Sequence, residues 1–345
     1  MPAFEKLRVA RVDRLCDDAV AITFDAGVGF RPGQSLTVRR FVDGAEARRS
    51  YSICAPAGDP PRIGVREVAG GAVSSWLVHE VRPGDEIEAL PPSGRFVADL
   101  TTPGHHVLIA AGSGITPVIS IAASVLGNPA STVTLLYGNR RAATVMFADE
   151  LADLKDSHPD RLNVVHVLSR EAREVELFSG RLDAERLRRL LPAVCDTARV
   201  DHWWLCGPYG MVRDAQQVLR DLGVAAARVH QELFYVEDVA PPPATHEDSA
   251  PPGPASQVTV VLDGRSTLVA VPKTSTILEG AQRARPDLPF ACKGGVCGTC
   301  RANVTTGEVH MRRNFALEDA EIDDGFVLTC QSTPLTDEVT VDYDR

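Results

Sequence analysis

The chain has 345 residues, of which 24% are charged and 44% hydrophobic, so it is long enough for two or three domains with separate cores. Its formal net charge of −10 repels nucleic acid and anionic membrane surfaces, which argues against both as partners. There is no secretory signal pattern and no apolar run of the roughly eighteen residues that a membrane helix needs. The eight cysteines suit a reducing compartment better than a disulfide framework, so a cytoplasmic protein is expected.

Residues 1–102 contain short segments in which apolar and polar side chains alternate. They lie at 7–15, 19–24, 35–41, 49–54, 63–68 and 86–90. Alternation with a period of two is typical of strands that bury one face, and turn residues such as Arg31-Pro32-Gly33 separate the segments. The pattern predicts an antiparallel β-barrel with one helix inserted near 73–81.

From residue 103 to 236 the pattern changes to strands separated by helices. Strands are expected at 107–111, 133–137, 163–168 and 202–206, and helices at 118–126, 147–154, 184–190 and 211–222. This alternation predicts a parallel sheet that is covered on both faces, which is a layout that binds nucleotides.

The first turn of this second region joins the apolar strand 107–111 to a helix through Gly112-Ser113-Gly114. Glycines here let the backbone approach a pyrophosphate at the helix N-terminus. Pro117 is expected at the first helical position, where its missing N–H costs nothing. A tight turn without a ligand is the alternative, but the strand before it and the helix after it favour phosphate binding.

Cys206 follows the apolar run Trp203-Trp204-Leu205 and precedes Gly207. It is therefore expected at the carboxyl end of a parallel strand, where α/β sheets place their ligands. The alternative is a buried thiol with a packing role only.

Residues 237–256 are rich in proline and acidic side chains and contain almost no large apolar residue, so they predict an extended linker. Beyond it, 257–263 and 266–271 alternate like a hairpin around Asp263-Gly264, and 275–284 has a helical pattern with a serine N-cap. With strands expected at 301–305 and 338–342, a small mixed sheet that holds one helix is predicted for 257–345.

Four cysteines in this last region have the spacing of plant-type 2Fe-2S ligands. Cys292, Cys297 and Cys300 are separated by four and by two residues, and Cys330 follows after twenty-nine more. Glycines between the first three allow backbone N–H groups to turn toward the sulfurs. A structural zinc site and a disulfide pair are the alternatives, but the full spacing favours the cluster.

The order of several short motifs resembles the ferredoxin-NADP reductase family. They are Arg49-Ser50-Tyr51-Ser52, Gly71-Ala72-Val73-Ser74, the turn 112–117 and Cys206-Gly207-Pro208. The added C-terminal plant-type ferredoxin domain is similar to reductase components of multicomponent oxygenases. This resemblance implies a FAD-binding β-barrel domain at 1–102, an NAD(P)H-binding α/β domain at 103–236, and a 2Fe-2S domain of β-grasp fold at 257–345.

Within that family, further phrases resemble the reductase subunits of phenylacetyl-CoA epoxidases. They include Tyr137-Gly138-Asn139-Arg140 and Ala291-Cys292-Lys293-Gly294-Gly295-Val296-Cys297. The phrase Phe147-Ala148-Asp149-Glu150-Leu151 is similar to reductases of 3-ketosteroid hydroxylases as well.

The resemblance also implies roles for single residues. Arg49 pairs with the flavin diphosphate, Tyr51 lies against the isoalloxazine, and Ser52 hydrogen-bonds near N5, the atom that accepts hydride. Cys206 lies beside the nicotinamide, so Ser52 and Cys206 are the expected catalytic residues. The other expected cofactor-binding residues are Gly71, Val73 and Ser74 for the flavin diphosphate, Gly112, Gly114, Thr116, Pro117 and Gly207 for the nucleotide, and Phe234 near the flavin. Core packing is the alternative for Phe234.

The choice between NADPH and NADH depends on groups that could hold a 2′-phosphate. Ser169 and Arg170 follow the strand at 163–168, and Arg140 lies beyond the strand at 133–137. They favour NADPH, with NADH possible, and ordinary surface arginines are the alternative.

The function implied by the resemblance is an NAD(P)H-dependent reductase that passes electrons through FAD and a 2Fe-2S cluster to an oxygenase component, most closely the phenylacetyl-CoA epoxidase of phenylacetate degradation. Alternatives are the reductase of a 3-ketosteroid 9α-hydroxylase or of an aromatic-ring dioxygenase. A non-catalytic iron-sulfur carrier or redox sensor and a zinc-holding scaffold are alternatives from other classes. The acidic stretch 318–324 is either a docking patch for a basic partner or a solvated helix face.

Overall fold

The computed structural model describes residues 4–42, 44–235, 254–282 and 284–345, and these form two compact units. The first unit contains the described residues up to 235, and the second those from 254 onward. The linker expected at 237–256 lies outside the described residues as far as 253. Ala255 and Ser256 already belong to a strand, so the regular structure begins earlier than expected. No helix in the described ranges is long and apolar enough to cross a membrane.

The predicted barrel region is an antiparallel sheet with strand order β4-β3-β6-β1-β2-β5. Its strands are β1 Glu5–Cys16, β2 Ala19–Phe24, β3 Ser35–Val42, β4 Ala45–Ser52, β5 Arg62–Arg66 and β6 Glu86–Ala89. Alternate apolar side chains such as Ile22, Leu36 and Ile63 are fully buried and form its core, as a period of two requires. Helix α1, Ala72–His79, packs against this core.

The second region is a parallel sheet with strand order β11-β10-β7-β8-β9. Its strands are β7 His105–Ala111, β8 Thr132–Asn139, β9 Leu162–Leu168, β10 His202–Pro208 and β11 Val229–Tyr235. The main helices are α2 Ile115–Leu126, α3 Ala148–Ser157, α4 Ala184–Val194 and α5 Tyr209–Asp221. Strand β11 is not predicted from the sequence, because its polar residues His230, Gln231 and Glu232 hide the apolar alternation.

Side-chain hydrogen bonds join the barrel to the parallel-sheet region, and we call this contact surface the seam. Arg62 of β5 donates two hydrogen bonds to the Glu150 carboxylate of α3, at 2.8 and 2.6 Å. Ser120 of α2 donates to the backbone oxygen of Ala55. These contacts join a strand and a loop of the barrel to two helices that cover the parallel sheet, and the two regions form one compact unit.

The C-terminal unit is a mixed sheet with strand order β13-β12-β18-β14-β16, in which β12 and β18 run parallel, and the β-grasp prediction is confirmed. Its elements are β12 Ala255–Leu262, β13 Arg265–Pro272, α6 Ile277–Ala281, β14 Arg301–Thr306, β15 Val309–Met311, α7 Asp319–Asp323, β16 Phe326–Leu328, β17 Ser332–Pro334 and β18 Glu338–Asp342. Helix α6 is shorter than predicted, and its N-cap is Thr276 rather than the expected serine. Thr276 and Glu279 form a reciprocal capping box there.

Candidate functional site

One row of neighbouring residues in the parallel sheet contacts the barrel. The strand register places Tyr137, Ala110, Cys206 and Glu232 side by side across β8, β7, β10 and β11. The hydroxyl of Ser52, the last residue of β4, donates to the Glu232 carboxylate at 3.3 Å. The two residues expected to be catalytic, Ser52 and Cys206, therefore both adjoin Glu232, which the sequence reasoning did not select.

Burial raises the pKa values of both Glu232 and Cys206. Glu232 lies half-buried on the edge strand β11, and this burial raises the pKa of its carboxyl to about 7, while the hydrogen bond from Ser52 opposes the shift. Burial raises the pKa of the Cys206 thiol well above its ordinary value, and the neighbouring Glu232 adds to the effect. Cys206 thus remains a neutral thiol at physiological pH, whereas Glu232 can hold or release a proton.

The flavin residues expected on the barrel occupy one strand. Arg49 and Tyr51 pair with Val38 and Leu36 of β3, so their side chains share one face of this strand pair. Arg49 is exposed and Tyr51 is half-buried against the barrel core. An exposed guanidinium beside a packed phenol ring fits a diphosphate joined to a flat ring system.

The motif at 71–74 forms the start of helix α1. Ser74 Oγ accepts a hydrogen bond from the Val68 backbone N–H at 3.1 Å and donates to the Gly71 carbonyl at 3.2 Å, which closes the loop before the helix. Val73 is buried in the barrel core, so only its backbone can contact a ligand. No side chain caps the helix, which leaves its first amides suited to a diphosphate.

The glycine turn after β7 is held tightly in place. Gly112 has a φ of +56°, and its carbonyl accepts a hydrogen bond of 3.0 Å from the buried Tyr137 hydroxyl. A Cβ on Gly114 would lie 2.2 Å from the Cys206 carbonyl oxygen, so only glycine permits this approach. Arg66 of β5, which was not predicted, places Nη1 3.4 Å from where a Cβ on Gly112 would lie. A cation beside this turn suits a diphosphate.

The start of helix α2 differs from the prediction. The helix begins at Ile115 after a 3₁₀ turn at Gly112–Gly114, so Pro117 is its third residue and not its first. Proline is still tolerated there, because the first-turn N–H groups have no intrahelical acceptor. Thr116 is buried, donates its hydroxyl to the Ser113 carbonyl at 3.0 Å, and packs against Gly64 of the barrel.

The other expected nucleotide residues lie at strand ends. The backbone N–H of Arg170 donates to the Arg140 carbonyl at 2.8 Å, so these two exposed residues are neighbours beyond β8 and β9, with Ser169 between Arg170 and β9. Gly207 follows Cys206 within β10. Phe234 lies two residues beyond Glu232 and packs against the large core beneath the sheet.

The cysteines of the C-terminal unit group in two pairs. The thiol of Cys297 hydrogen-bonds to the Cys292 sulfur, as do the N–H groups of Gly294 at 3.3 Å and of Cys297 at 3.4 Å; together they lower the pKa of Cys292 to about 5. Cys300 and Cys330 form the second pair, and Gln331 Nε2 donates to the Cys330 sulfur at 3.4 Å. Inward N–H donors are what a thiolate-held cluster requires.

This pairing separates two kinds of metal site. A structural zinc ion needs four ligands around one point, whereas a 2Fe-2S cluster takes two thiolates on each iron. The two cysteine pairs fit a two-iron cluster.

Three family models match the chain in sequence. They are the oxidoreductase FAD-binding domain over residues 7–97, the oxidoreductase NAD-binding domain over 108–217, and the 2Fe-2S iron-sulfur cluster binding domain over 260–335.

Similar proteins match along nearly the whole length. The chain is 38% identical to a subunit of the 1,2-phenylacetyl-CoA epoxidase of Escherichia coli, over 100% of this chain and 99% of that protein. It is 35% identical to the 3-ketosteroid-9-alpha-monooxygenase ferredoxin reductase component of Mycobacterium tuberculosis, over 99% and 96%. The chain belongs to the ferredoxin-NADP reductase-type family of oxygenase reductases. The structure of phthalate dioxygenase reductase, at 22% identity, shares its fold over 98% of each chain with a TM-score of 0.60.

Membership of this oxygenase reductase family confirms several predictions. The chain is an NAD(P)H-dependent oxidoreductase that uses FAD and a 2Fe-2S cluster, and its fold class is as expected. The expected electron acceptor, an oxygenase component, is confirmed as a class of partner. The zinc scaffold and the non-catalytic carrier are thereby excluded.

Proposed function

We propose that this oxygenase reductase draws electrons from NADPH in the cytoplasm and delivers them to a phenylacetyl-CoA epoxidase. The main support is the 38% identity, over the full length of both chains, to a protein named as a subunit of that epoxidase. A second candidate, delivery to a 3-ketosteroid 9α-monooxygenase, is supported by 35% identity over nearly as much of the chain. The domain limits proposed are 1–102, 103–236 and 257–345, with a linker at 237–256.

Bound FAD would accept the hydride of NADPH as two electrons and release them singly, which the one-electron 2Fe-2S cluster requires. The residues described above supply the setting. Arg49 and the first turn of α1 bind the flavin diphosphate, and Tyr51 supports its ring. Gly114 brings the nucleotide turn against the Cys206 backbone, so the turn and Cys206 would hold the nucleotide together. Glu232 holds or releases a proton beside Cys206, and the hydrogen bond that Ser52 donates to its Oε2 favours the ionised form.

The preference for NADPH is proposed from Arg140 and Arg170. Both are exposed at adjacent strand ends, and among the described residues neither side chain has an ion-pair or hydrogen-bond partner. Two free guanidinium groups beyond the adenosine end of the sheet suit a 2′-phosphate, because each offers charge-assisted hydrogen bonds to its oxygens.

The test is reconstitution of the purified chain, loaded with FAD and cluster, with either the phenylacetyl-CoA epoxidase oxygenase or the steroid 9α-monooxygenase oxygenase. Product formed per NADPH consumed is measured for each. Tight coupling with the epoxidase and uncoupled NADPH consumption with the steroid enzyme is the expected result. The reverse pattern would replace the first candidate by the second, and poor coupling with both would reject the two assignments.

A further inference from the structure

Asn139, the last residue of β8, carries a buried side chain that makes no hydrogen bond of normal geometry with the described residues. The residue is 7% exposed, and within the described ranges neither its amide nitrogen nor its amide oxygen has a partner of normal geometry. Burial raises the pKa of Tyr137, and Asn139 lies close enough for its amide to oppose that rise, but this contact falls outside normal hydrogen-bond geometry. The Tyr137 hydroxyl itself donates to the Gly112 carbonyl. A buried amide without good hydrogen bonds lowers the stability of the free protein, so we expect a bound ligand to supply the missing donor and acceptor.

The strand register locates this amide within the dinucleotide site. Side chains two residues apart on a strand share a face, so Asn139 lies on the face of Tyr137, in the direction of the carboxyl edge. The hydroxyl of Tyr137 reaches the turn at Gly112, which places Asn139 beside the same turn.

The strand order then shows which half of the dinucleotide lies above Asn139. Cys206, which we assign to the nicotinamide, is on β10, and the pyrophosphate turn follows β7. In the order β10-β7-β8-β9 a dinucleotide that runs from Cys206 across the turn reaches β8 with its adenosine half. Arg140 and Arg170, at the next strand ends, lie farther along the same line.

The chemistry of an amide restricts the ligand group further. Asn139 offers N–H donors and a carbonyl acceptor side by side. A phosphate only accepts hydrogen bonds, so it would leave the amide oxygen unpaired. A group that donates and accepts at neighbouring atoms is needed, and the adenosine half has two: the ribose hydroxyls and the edge of the adenine ring.

We propose that Asn139 binds the adenosine half of NAD(P)H through a paired donor and acceptor, and that its side chain is left without a hydrogen bond of normal geometry in the free protein for this purpose. The proposal rests on the proposed function, because it takes the dinucleotide as the ligand. A purely structural Asn139 would instead stabilise β8, and the two roles predict opposite changes in stability on substitution.

The experiment compares Asn139→Leu with a matched control, Asn303→Leu. Asn303 is equally buried, at 6% exposed, but its Nδ2 donates to the Asp324 carbonyl at 2.7 Å. Thermal melting and calorimetric titration with NADP⁺ and NAD⁺ are measured on the full chain with FAD and cluster bound. Asn139→Leu is expected to weaken both nucleotides about ten-fold, the loss of one to two hydrogen bonds, while its melting temperature is unchanged or higher. Asn303→Leu is expected to melt lower and bind as the wild type does.

A lower melting temperature for Asn139→Leu with unchanged nucleotide affinity would overturn the inference and leave the proposed function intact. Failure of the wild-type chain to bind either nucleotide would overturn both. Titration with the hypoxanthine analogue of NADP⁺, in which adenine lacks its amino group, identifies the contact. If the wild type binds the analogue as weakly as the variant binds NADP⁺, the adenine edge is the partner; undiminished binding by the wild type assigns the ribose hydroxyls.

Discussion

The cysteine loop and the proposed hydride-transfer site differ in how far apart their residues lie in the sequence. Three of the four cluster ligands lie within nine consecutive residues, and nearby backbone N–H groups already point at the sulfurs. The proposed hydride-transfer site takes Ser52 from the barrel, Cys206 from a central strand and Glu232 from an edge strand. A local site depends on a few residues and its own loop, whereas a site assembled from distant elements depends on the packing of the entire unit.

The largest expected effect tests the independence of the two sites. Cys297→Ser removes a cluster ligand, so transfer to the oxygenase should fall at least a hundred-fold, because a hydroxyl is a poor ligand for iron. NADPH-driven reduction of a dye through the flavin should persist. Steady-state rates of both activities are measured, with Cys195→Ser, outside the cluster loop, as the control. Oxygenase turnover that survives in Cys297→Ser would refute the electron path.

The next prediction concerns the stability of the first unit at acid pH. Burial lowers the pKa of both His106 and His230 to about 4, and the neighbouring His202 adds to the shift. The unfolded chain takes up protons below about pH 6.5, so the stability that neutral histidines contribute is full above that pH and is lost as the pH falls toward 4. For the fully buried His106 the loss is roughly 3 kcal/mol at pH 4.

Tryptophan fluorescence during urea unfolding measures this loss, since all three tryptophans, Trp76, Trp203 and Trp204, belong to the first unit. His106→Gln should flatten the dependence between pH 6.5 and 4, because glutamine does not titrate yet can still accept from the Trp204 indole N–H. An unchanged slope in this variant would locate the acid sensitivity elsewhere.

The next prediction tests whether Glu232 takes part in proton transfer at the proposed hydride-transfer site. Its pKa is raised, so its contribution to stability is full below the unfolded value near 4.5 and is lost as the pH rises through about 7. Glu232→Gln should therefore gain stability relative to the wild type between pH 5 and 8. Flavin reduction by NADPH, followed by rapid mixing, should slow about thirty-fold and lose its inflection near pH 7, as expected for loss of a general acid-base group. Glu185→Gln, on the exposed start of α4, should change neither property.

The smallest expected effect concerns nucleotide choice. Arg170→Ala should raise the KM for NADPH about ten-fold and leave that for NADH unchanged, since only the 2′-phosphate would lose a charge-assisted partner. Steady-state kinetics with both nucleotides checks this, and Arg188→Ala, whose side chain pairs with Asp221 on the surface, serves as the control. Equal changes for both nucleotides would place Arg170 away from the 2′-phosphate.

The same contrast explains which features the sequence could predict. The spacing of the cysteines predicts both the 2Fe-2S cluster and the four residues proposed to hold it, and alternation predicts most strands, so these features need no coordinates. Glu232 and Asn139 cannot be predicted in this way, because their roles depend on which strands are neighbours and on the absence of partners, and neither property is local. Strand β11 escaped prediction for a related reason: Gln231 and Glu232 are polar where a buried strand would be apolar.

The seam between the barrel and the parallel sheet bears on how such reductases can be recombined. The two parts are joined by the ion pair between Arg62 and Glu150 and by the Thr116 side chain, which fits only because Gly64 has no side chain. A chimaera cut near residue 102 would pair mismatched halves of these contacts and place the flavin and nucleotide out of alignment. Exchange of the unit that starts near residue 254 leaves the seam whole. Redesign of the electron acceptor should therefore graft the C-terminal unit and treat residues 4–235 as one indivisible part.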